Sequence, residues 1–419
     1  MSDLYKNMLR LASGSALAQV IPILAYPILT RIYAPEAFGT FATIILFSSL
    51  IGIVASGSYE HAILVTKSKL DAANLVVLTL IRSSLVLFFS FVILFFIREN
   101  IAELFNDPEL LTALNYVPFL AMGGILFACH SEWLVKYKGY GLLSRNRIFQ
   151  GLFLVTSKIL CGISNFFNQA LLAGEMAGRL LTSVLSVFTI LFVDHNAFRG
   201  VSVSGITNAR SRFSRFPKVM VFDQLFNIFV GSVHVLFIGA AFGPQELGYV
   251  TLLFSSLYLP ITVISTSIKD VFRQKANIDY GDVGSCRPLY LSLLKVISLS
   301  AVIPFTLGFF LAPSLFPLVF GEEWSRVGIY AQVMIPMYYF NFVCMSLGGI
   351  LIFAEKIKIS LYWQILSFIT SVLALYIGCY VIHDLFLCLI LLAVVRALAY
   401  IAYGILSYYF SLNHSRLQS

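Results

Sequence analysis

Long apolar runs follow one another along the whole chain. Stretches such as Leu85–Ile97 and Leu385–Val395 contain no charged residue and lack the polar–apolar alternation of a transmembrane β-strand. One bilayer crossing by a helix takes roughly 20 apolar residues. The runs therefore predict an all-α polytopic membrane protein with about twelve transmembrane helices. The predicted spans are residues 8–30, 37–59, 74–97, 111–135, 147–165, 170–193, 217–240, 246–268, 289–311, 327–353, 359–381 and 385–410.

The composition excludes the soluble classes of protein. Only 11% of the 419 residues are charged, against about 25% in an average soluble domain. So few charges cannot cover a soluble globule of this size, which excludes a soluble enzyme, a disordered chain and a nucleic-acid-binding module. The net charge of +8 then needs another explanation.

Basic residues fall in every second connection between the predicted spans. The alternate connections, which lie between the basic ones, are acidic or uncharged, as at Glu99–Glu109 and at Glu322 and Glu323. Connections rich in Lys and Arg remain in the cytoplasm. The alternation therefore places both termini in the cytoplasm, requires an even number of spans and accounts for the net charge without nucleic acid. The basic positions are Lys6, Arg10, Lys67, Lys69, Lys136, Lys138, Arg145, Arg147, Arg199, Arg210, Arg212, Arg215, Lys218, Lys269, Arg273, Lys275, Arg287, Lys356, Lys358 and Arg416.

The two halves of the chain echo each other. A Pro-x-x-x-Gly motif follows the first span at Pro35–Gly39 and the seventh at Pro244–Gly248, and Phe-Ser-Ser-Leu recurs at 47–50 and 254–257. We therefore predict a duplicated six-helix bundle, with parallel repeats and a binding site between them. The predicted domains are an N-terminal bundle (1–195), a basic cytoplasmic linker (196–216) and a C-terminal bundle (217–419).

Ionisable residues inside the predicted spans are candidates for function. A charge near the bilayer centre costs roughly 2.5–3.5 kcal/mol on insertion scales, so it persists when it is paired or lines a water-filled cavity. Glu132, Asp223 and Lys295 lie near cytoplasmic ends, where snorkelling explains them. The others are Arg82, Lys158, Glu175, Arg179 and Arg396.

Three of these charges are expected to meet. Glu175 and Arg179 are four residues apart on one helix face and could simply neutralise each other. A hairpin of spans five and six brings Lys158 to the same depth, which leaves an excess of positive charge. Arg82 and Arg396 have no obvious partner in the sequence. A basic cavity implies an anionic ligand such as phosphate or pyrophosphate.

Cysteines and histidines indicate no metal or redox chemistry. The six cysteines form no metal-binding spacing, and we expect no disulfide. Single histidines such as His130, His234 and His383 are more often packed than part of a proton relay. No nucleotide-binding loop is evident in the sequence, so we expect no cofactor. Transport would then draw on an ion gradient, the membrane potential or removal of the product.

Several motifs resemble those of Wzx-type polysaccharide flippases. The similarity is densest in residues 10–75 and 213–275. The matching stretches are Thr30–Gly39, Gly57–Ile63, Asp71–Leu75, Trp133-Leu134, Phe216-Pro217-Lys218, Gly243-Pro244 and Gly248-Tyr249.

The resemblance implies membership of the multidrug/oligosaccharidyl-lipid/polysaccharide transporter superfamily. It implies two six-helix bundles around a central V-shaped cavity. It also implies translocation of undecaprenyl-pyrophosphate-linked oligosaccharide across the bacterial inner membrane, for O-antigen or capsule assembly. Membrane lipids, a polysaccharide polymerase and a chain-length regulator would be partners.

The leading hypothesis is therefore a lipid-linked oligosaccharide flippase, which is not an enzyme. A polytopic polymerase or ligase is an alternative, but such an enzyme should carry a large outer loop. A small-molecule exporter of the same superfamily is another, but its cavity should be acidic. The expected substrate-binding residues are Arg179, Arg396, Lys158, Arg82, Glu175, Arg31, Asn227, Gln19 and Tyr26, with Gln224 as a further sugar contact.

Overall fold

The computed structural model describes residue 18 and residues 20–164, 166 and 169–412. Within these residues the chain is almost entirely helical, and the only β-type pairing is an isolated bridge between Ser285 and Leu412. The longer helices are α1 (Val20–Ile32), α2 (Pro35–Ser56), α3 (Lys69–Leu104), α4 (Val117–Lys136), α5 (Tyr140–Ser164), α6 (Ala170–Phe198), α7 (Val203–Arg212), α8 (Arg215–Val283), α9 (Arg287–Phe320), α10 (Ser325–Ser346), α11 (Ile357–Tyr376) and α12 (Leu385–Phe410).

The helices agree with the predicted membrane spans. Ten helical segments of the described chain are long and apolar enough to cross a bilayer, and α1 is a shorter apolar helix. The 69 residues of α8 are interrupted at Gly243, whose φ of 78° and ψ of −176° are not helical. This helix therefore covers the predicted seventh and eighth spans. The prediction of an all-α polytopic membrane protein is confirmed, and the helices are consistent with twelve spans.

Large apolar side chains cover the outer surface of these helices. Phe88 and Phe96 on α3, Phe192 on α6 and Phe310 and Leu318 on α9 are all exposed. A soluble monomer rarely exposes extended apolar surface, whereas acyl chains solvate it well. The apolar residues therefore continue to the surface of the helices instead of being confined to a buried core.

The described residues form two compact units, one ending at Gly248 and the other starting at Tyr249. The predicted linker contains α7, which packs against α3 inside the first unit. Ala209 and Phe213 join a buried cluster around Trp133. The N-terminal unit thus includes the linker and most of the repeated motif, while the predicted division into two six-helix bundles remains a prediction.

The repeated Pro-x-x-x-Gly motifs pack on each other within the first unit. A Cβ atom on Gly39 would lie 1.9 Å from the carbonyl oxygen of Pro244, and a Cβ on Gly248 would lie 1.9 Å from that of Pro35. Each glycine therefore leaves space for the backbone of the other motif, which no residue with a Cβ could do without moving it. The sequence repeat corresponds to a reciprocal contact in the structure.

Candidate functional site

Two glycines bring α5 and α6 into backbone contact. A Cβ on Gly174 would lie 2.5 Å from the Cα of Lys158, and one on Gly178 would lie 2.7 Å from the Cα of Leu154. Small residues at this four-residue spacing allow membrane helices to approach closely. This Gly-x-x-x-Gly spacing is visible in the sequence, and it fixes which side chains of the hairpin meet.

The contact builds the predicted cluster around Glu175. One carboxylate oxygen of Glu175 accepts from Arg179 Nε at 2.8 Å, and the other lies 2.6 Å from Lys158 Nζ. Arg179 also donates to the carbonyl oxygen of Leu120 at 2.8 Å. Lys158 Nζ lies 4.7 Å from the centre of the Phe41 ring. Glu175 is buried, so both cations are bound to a carboxylate that is itself shielded from solvent.

Arg82 has partners that the sequence could not reveal. Its guanidinium donates to the carbonyl oxygens of Ala55 and Val54 at 3.2 and 3.0 Å. It also lies 6.0 Å from the centre of the Tyr59 ring. Both carbonyls belong to the last turn of α2, which ends just before Gly57. Arg82 therefore caps the C-terminus of this helix, where a positive charge is favourable. The sequence showed no partner because 27 and 28 residues separate the donor from these acceptors.

The remaining described candidates of the first unit contact other residues of that unit. Arg31 donates to the carbonyl oxygen of Pro27 at 2.6 Å, and Asn227 donates to that of Asp223 at 2.9 Å. The Tyr26 ring lies 6.2 Å from the ring of Phe38. Gln224 donates to the hydroxyl of Ser58 at 3.1 Å. Gln19 lies outside the described residues.

The C-terminal unit places Arg396 among hydroxyl groups. Arg396 lies near the middle of α12, and its Nε approaches the hydroxyl of the buried Ser371 at 3.4 Å. It interacts electrostatically with Tyr258 and Tyr338, which also interact with Tyr400. In the described part of the chain no carboxylate forms an ion pair with Arg396. The three tyrosines were missed because nothing in the sequence distinguishes them from other tyrosines of an apolar helix.

A second polar group follows α2. His61 Nδ1 lies 2.9 Å from a carboxylate oxygen of Glu132, and the buried Glu60 accepts from the Ser56 hydroxyl at 3.1 Å. The hydrogen bond to Glu132 raises the pKa of His61. Burial raises the pKa of Glu60. Glu132 was interpreted as a snorkelling residue, whereas the structure pairs it with His61.

The predicted histidines and cysteines have mostly apolar or local surroundings. His130 is buried, and its Nε2 lies 3.0 Å from Asn146 Nδ2. Cys379 and Cys388 are free thiols whose sulfur atoms are 3.7 Å apart. Among the described residues no group of three or more potential metal ligands occurs.

Comparison with known families now bears on this arrangement. The family described as "Polysaccharide biosynthesis protein" matches residues 28–328. The chain belongs to this family. Its matched region includes the whole Lys158–Glu175–Arg179 cluster, Arg82 and the tyrosine Tyr258. A comparison with curated protein sequences gives no match.

Solved structures share the fold of this polysaccharide biosynthesis protein. The lipid II flippase MurJ, in an inward closed conformation, aligns with a TM-score of 0.70 at 12% identity, over 95% of this chain and 87% of that one. An inward-facing multidrug resistance MATE transporter of the MOP superfamily aligns with a TM-score of 0.62 at 15% identity, over 94% and 93%. A MOP superfamily transporter from Pyrococcus furiosus gives 0.57 at 14% identity, over 99% and 96%. The fold is therefore that of the MOP transporters.

Proposed function

We propose that this protein is a flippase that moves undecaprenyl-pyrophosphate-linked oligosaccharide units across the bacterial inner membrane, for O-antigen or capsule assembly. Membership of a polysaccharide biosynthesis family supports the pathway. The fold shared with a lipid II flippase supports the class of transporter. The observation that carries the proposal is Arg396, a guanidinium in the middle of a membrane helix without an ion-pair partner among the described residues.

The substrate chemistry explains such a charge. Pyrophosphate is anionic, and guanidinium offers its oxygens a planar fork of N–H donors. In the low dielectric of a membrane protein each cation near the headgroup counts more than in water. The glycan is rich in hydroxyls that cannot cross hydrocarbon unaided. A polar path through the protein would accommodate both the anionic pyrophosphate and the polar glycan, while the lipid tails stay in the bilayer.

The proposed roles follow the placement of the charges. Arg396 binds the pyrophosphate, and Lys158 and Arg179 add positive potential that Glu175 partly offsets. Arg82 contributes potential from the end of α2. Tyr26, Gln19, Asn227 and Gln224 are proposed contacts of the sugar, and Arg31 is a further proposed substrate-binding residue. The same surplus of cations argues against a small-molecule exporter that selects cationic compounds.

The mechanism proposed is alternating access without a nucleotide or other cofactor. Both termini are proposed to lie in the cytoplasm, and a polymerase and a chain-length regulator are proposed partners on the outer side. Reporter fusions after Asp107 should then score as periplasmic, and fusions after Arg145 as cytoplasmic. The opposite result at either position would refute this orientation.

The test of function is restoration of surface polysaccharide in a strain that lacks the transporter. Arg396→Lys should retain partial activity, because it keeps the charge, while Arg396→Ala and Arg396→Glu should abolish it. Lys295→Gln is the matched control, because Lys295 is an exposed cation of the same unit near a predicted cytoplasmic end. A well-expressed, fully active Arg396→Glu variant would exclude this residue from the substrate path.

A further inference from the structure

The surroundings of Arg396 contain donors for more than one oxygen of a ligand. Four helices contribute: Tyr258 from α8, Tyr338 from α10, Ser371 from α11 and Tyr400 from α12. Tyr400 follows Arg396 by four residues and so lies on the same face of α12. The helices that carry Tyr338 and Ser371 both pack against α12, which carries Arg396 and Tyr400, and Tyr258 and Tyr338 lie within electrostatic range of Arg396. One guanidinium and three phenols are thus collected in the second unit.

The hydroxyl of Tyr338 is the most informative of these groups. Its side chain is 2% exposed, and its oxygen has no hydrogen-bond partner among the described residues. A buried hydroxyl normally has a partner, because leaving one unpaired is costly. Tyr258, by contrast, is 49% exposed, so the group extends from an accessible phenol to a buried one. A charged group with a few convergent polar donors beside it is the composition typical of a small-ligand site.

The charge of the group selects the class of ligand. Guanidinium is a donor only, and each phenol can donate one hydrogen bond. The described residues place no carboxylate within ion-pairing distance of Arg396 to neutralise it. A tetrahedral phosphate has several acceptor oxygens and can use the guanidinium fork and the phenols together. Sugar hydroxyls would not compensate the charge, and a cation would be repelled.

We propose that Arg396, Tyr338, Tyr258 and Tyr400 form a phosphate-binding site in the C-terminal unit that takes the diphosphate of the transported lipid. This inference rests on the proposed function for the identity of the ligand, but the site itself can be tested separately. It assigns the diphosphate to the C-terminal unit, because Lys158 and Arg179 are already bound by Glu175. Three tyrosines thereby gain a role that neither the sequence nor the family suggests.

The composition of the site also suits transport. Binding must be favourable enough to capture the headgroup and weak enough to release it on the other side. One permanent charge supplies attraction, and neutral phenols add orientation without further charge. A site of several arginines would hold a diphosphate more tightly and release it more slowly.

The experiment measures anion binding by the full-length protein purified in detergent. Thermal shift and calorimetry at constant ionic strength use inorganic pyrophosphate, inorganic phosphate and farnesyl diphosphate as probes, with chloride as reference. Pyrophosphate should stabilise the wild type. Tyr338→Phe, which removes one hydroxyl, should weaken binding by about tenfold, and Arg396→Gln should weaken it further.

The controls separate this site from its alternatives. Tyr339→Phe is the matched control, since the neighbouring hydroxyl already has the Ser298 carbonyl oxygen at 3.4 Å. Its pyrophosphate affinity should equal that of the wild type. Tighter binding of farnesyl diphosphate than of pyrophosphate would assign the site to a lipid headgroup, and equal binding would assign it to the diphosphate alone. Both outcomes support a diphosphate site.

Two results would overturn the inference. One is unchanged pyrophosphate affinity in both Tyr338→Phe and Arg396→Gln with folding intact. The other is loss of binding only in Arg179→Gln, which would move the anion to the N-terminal unit. Neither result would contradict a flippase. Failure of the wild-type gene to restore surface polysaccharide would refute the proposed function and leave the binding result standing.

Discussion

The two units differ in whether their intramembrane charges are paired. In the N-terminal unit Glu175 lies between Lys158 and Arg179, and both cations have acceptors within this unit. In the C-terminal unit Arg396 has one long contact with Ser371 and no acidic partner within the described residues. A buried charge alone therefore does not mark a substrate site. The informative feature is whether the protein has already satisfied that charge.

The packing of the helices explains the difference. Gly174 and Gly178 let α6 approach α5 until opposite charges touch. Around Arg396 the structure places the hydroxyl of Ser371 and no carboxylate of the described residues within ion-pairing distance. We therefore expect the first cluster to contribute mainly to stability and the second mainly to binding.

The largest effect is expected from removing Glu175. Glu175→Gln leaves two cations facing a neutral amide in a buried position, and breaking such a pair costs roughly 3–5 kcal/mol. The measurement is thermal unfolding in detergent, together with the amount of protein in the membrane. The double variant Glu175→Gln with Lys158→Gln should recover part of the loss. Absence of any recovery would show that Lys158 and Glu175 are not energetic partners.

The close approach of α5 and α6 gives the next effect. A methyl group at Gly174 would meet the backbone of Lys158, so Gly174→Ala must separate the helices at a cost of about 1–3 kcal/mol. Gly231→Ala is the control, because no atom lies within 4 Å of its added Cβ. The Gly231→Ala variant should be slightly more stable than the wild type, because alanine favours a helix more than glycine does. Equal unfolding temperatures for the two variants would show that the glycine contact does not hold the hairpin together.

Removing the charge of Arg396 should affect transport strongly and stability little, which is the reverse of what we expect for Glu175→Gln. Arg396→Gln should change the free energy of unfolding by only about 1 kcal/mol or less, because no ion pair is lost. The same variant should lose transport in the surface polysaccharide assay. A loss of stability as large as that of Glu175→Gln would place Arg396 among the structural charges and remove the contrast between the units.

The smallest effect concerns the pair His61–Glu132. Because the hydrogen bond raises the pKa of His61, protonated His61 stabilises the folded state. This contribution is complete below the ordinary pKa of about 6.5 and is lost as the pH rises through the higher pKa of the folded state.

The unfolding temperature should therefore fall slightly as the pH rises above about 6.5. Glu132→Gln should flatten that slope, while His195→Gln, at an exposed histidine, should keep it. A slope that survives in Glu132→Gln would assign the pH dependence to another group.

Some of this arrangement followed from the sequence alone. Continuous apolar runs predicted the helices, since the bilayer sets the length of a crossing. The Lys158–Glu175–Arg179 cluster was also predictable. Its members lie on one helix face and across one short hairpin, so local geometry brings them together.

The face of each helix that meets a given neighbour depends on how the helices pack in three dimensions. Arg82 reaches the end of α2, and Tyr258, Tyr338, Ser371 and Arg396 come from four separate helices. In a soluble protein apolar periodicity marks the buried face of a helix. In lipid both faces of a helix are apolar, so the sequence does not specify its rotation. Packing contacts specify it instead, and they determine which charges are paired and which remain available to a ligand.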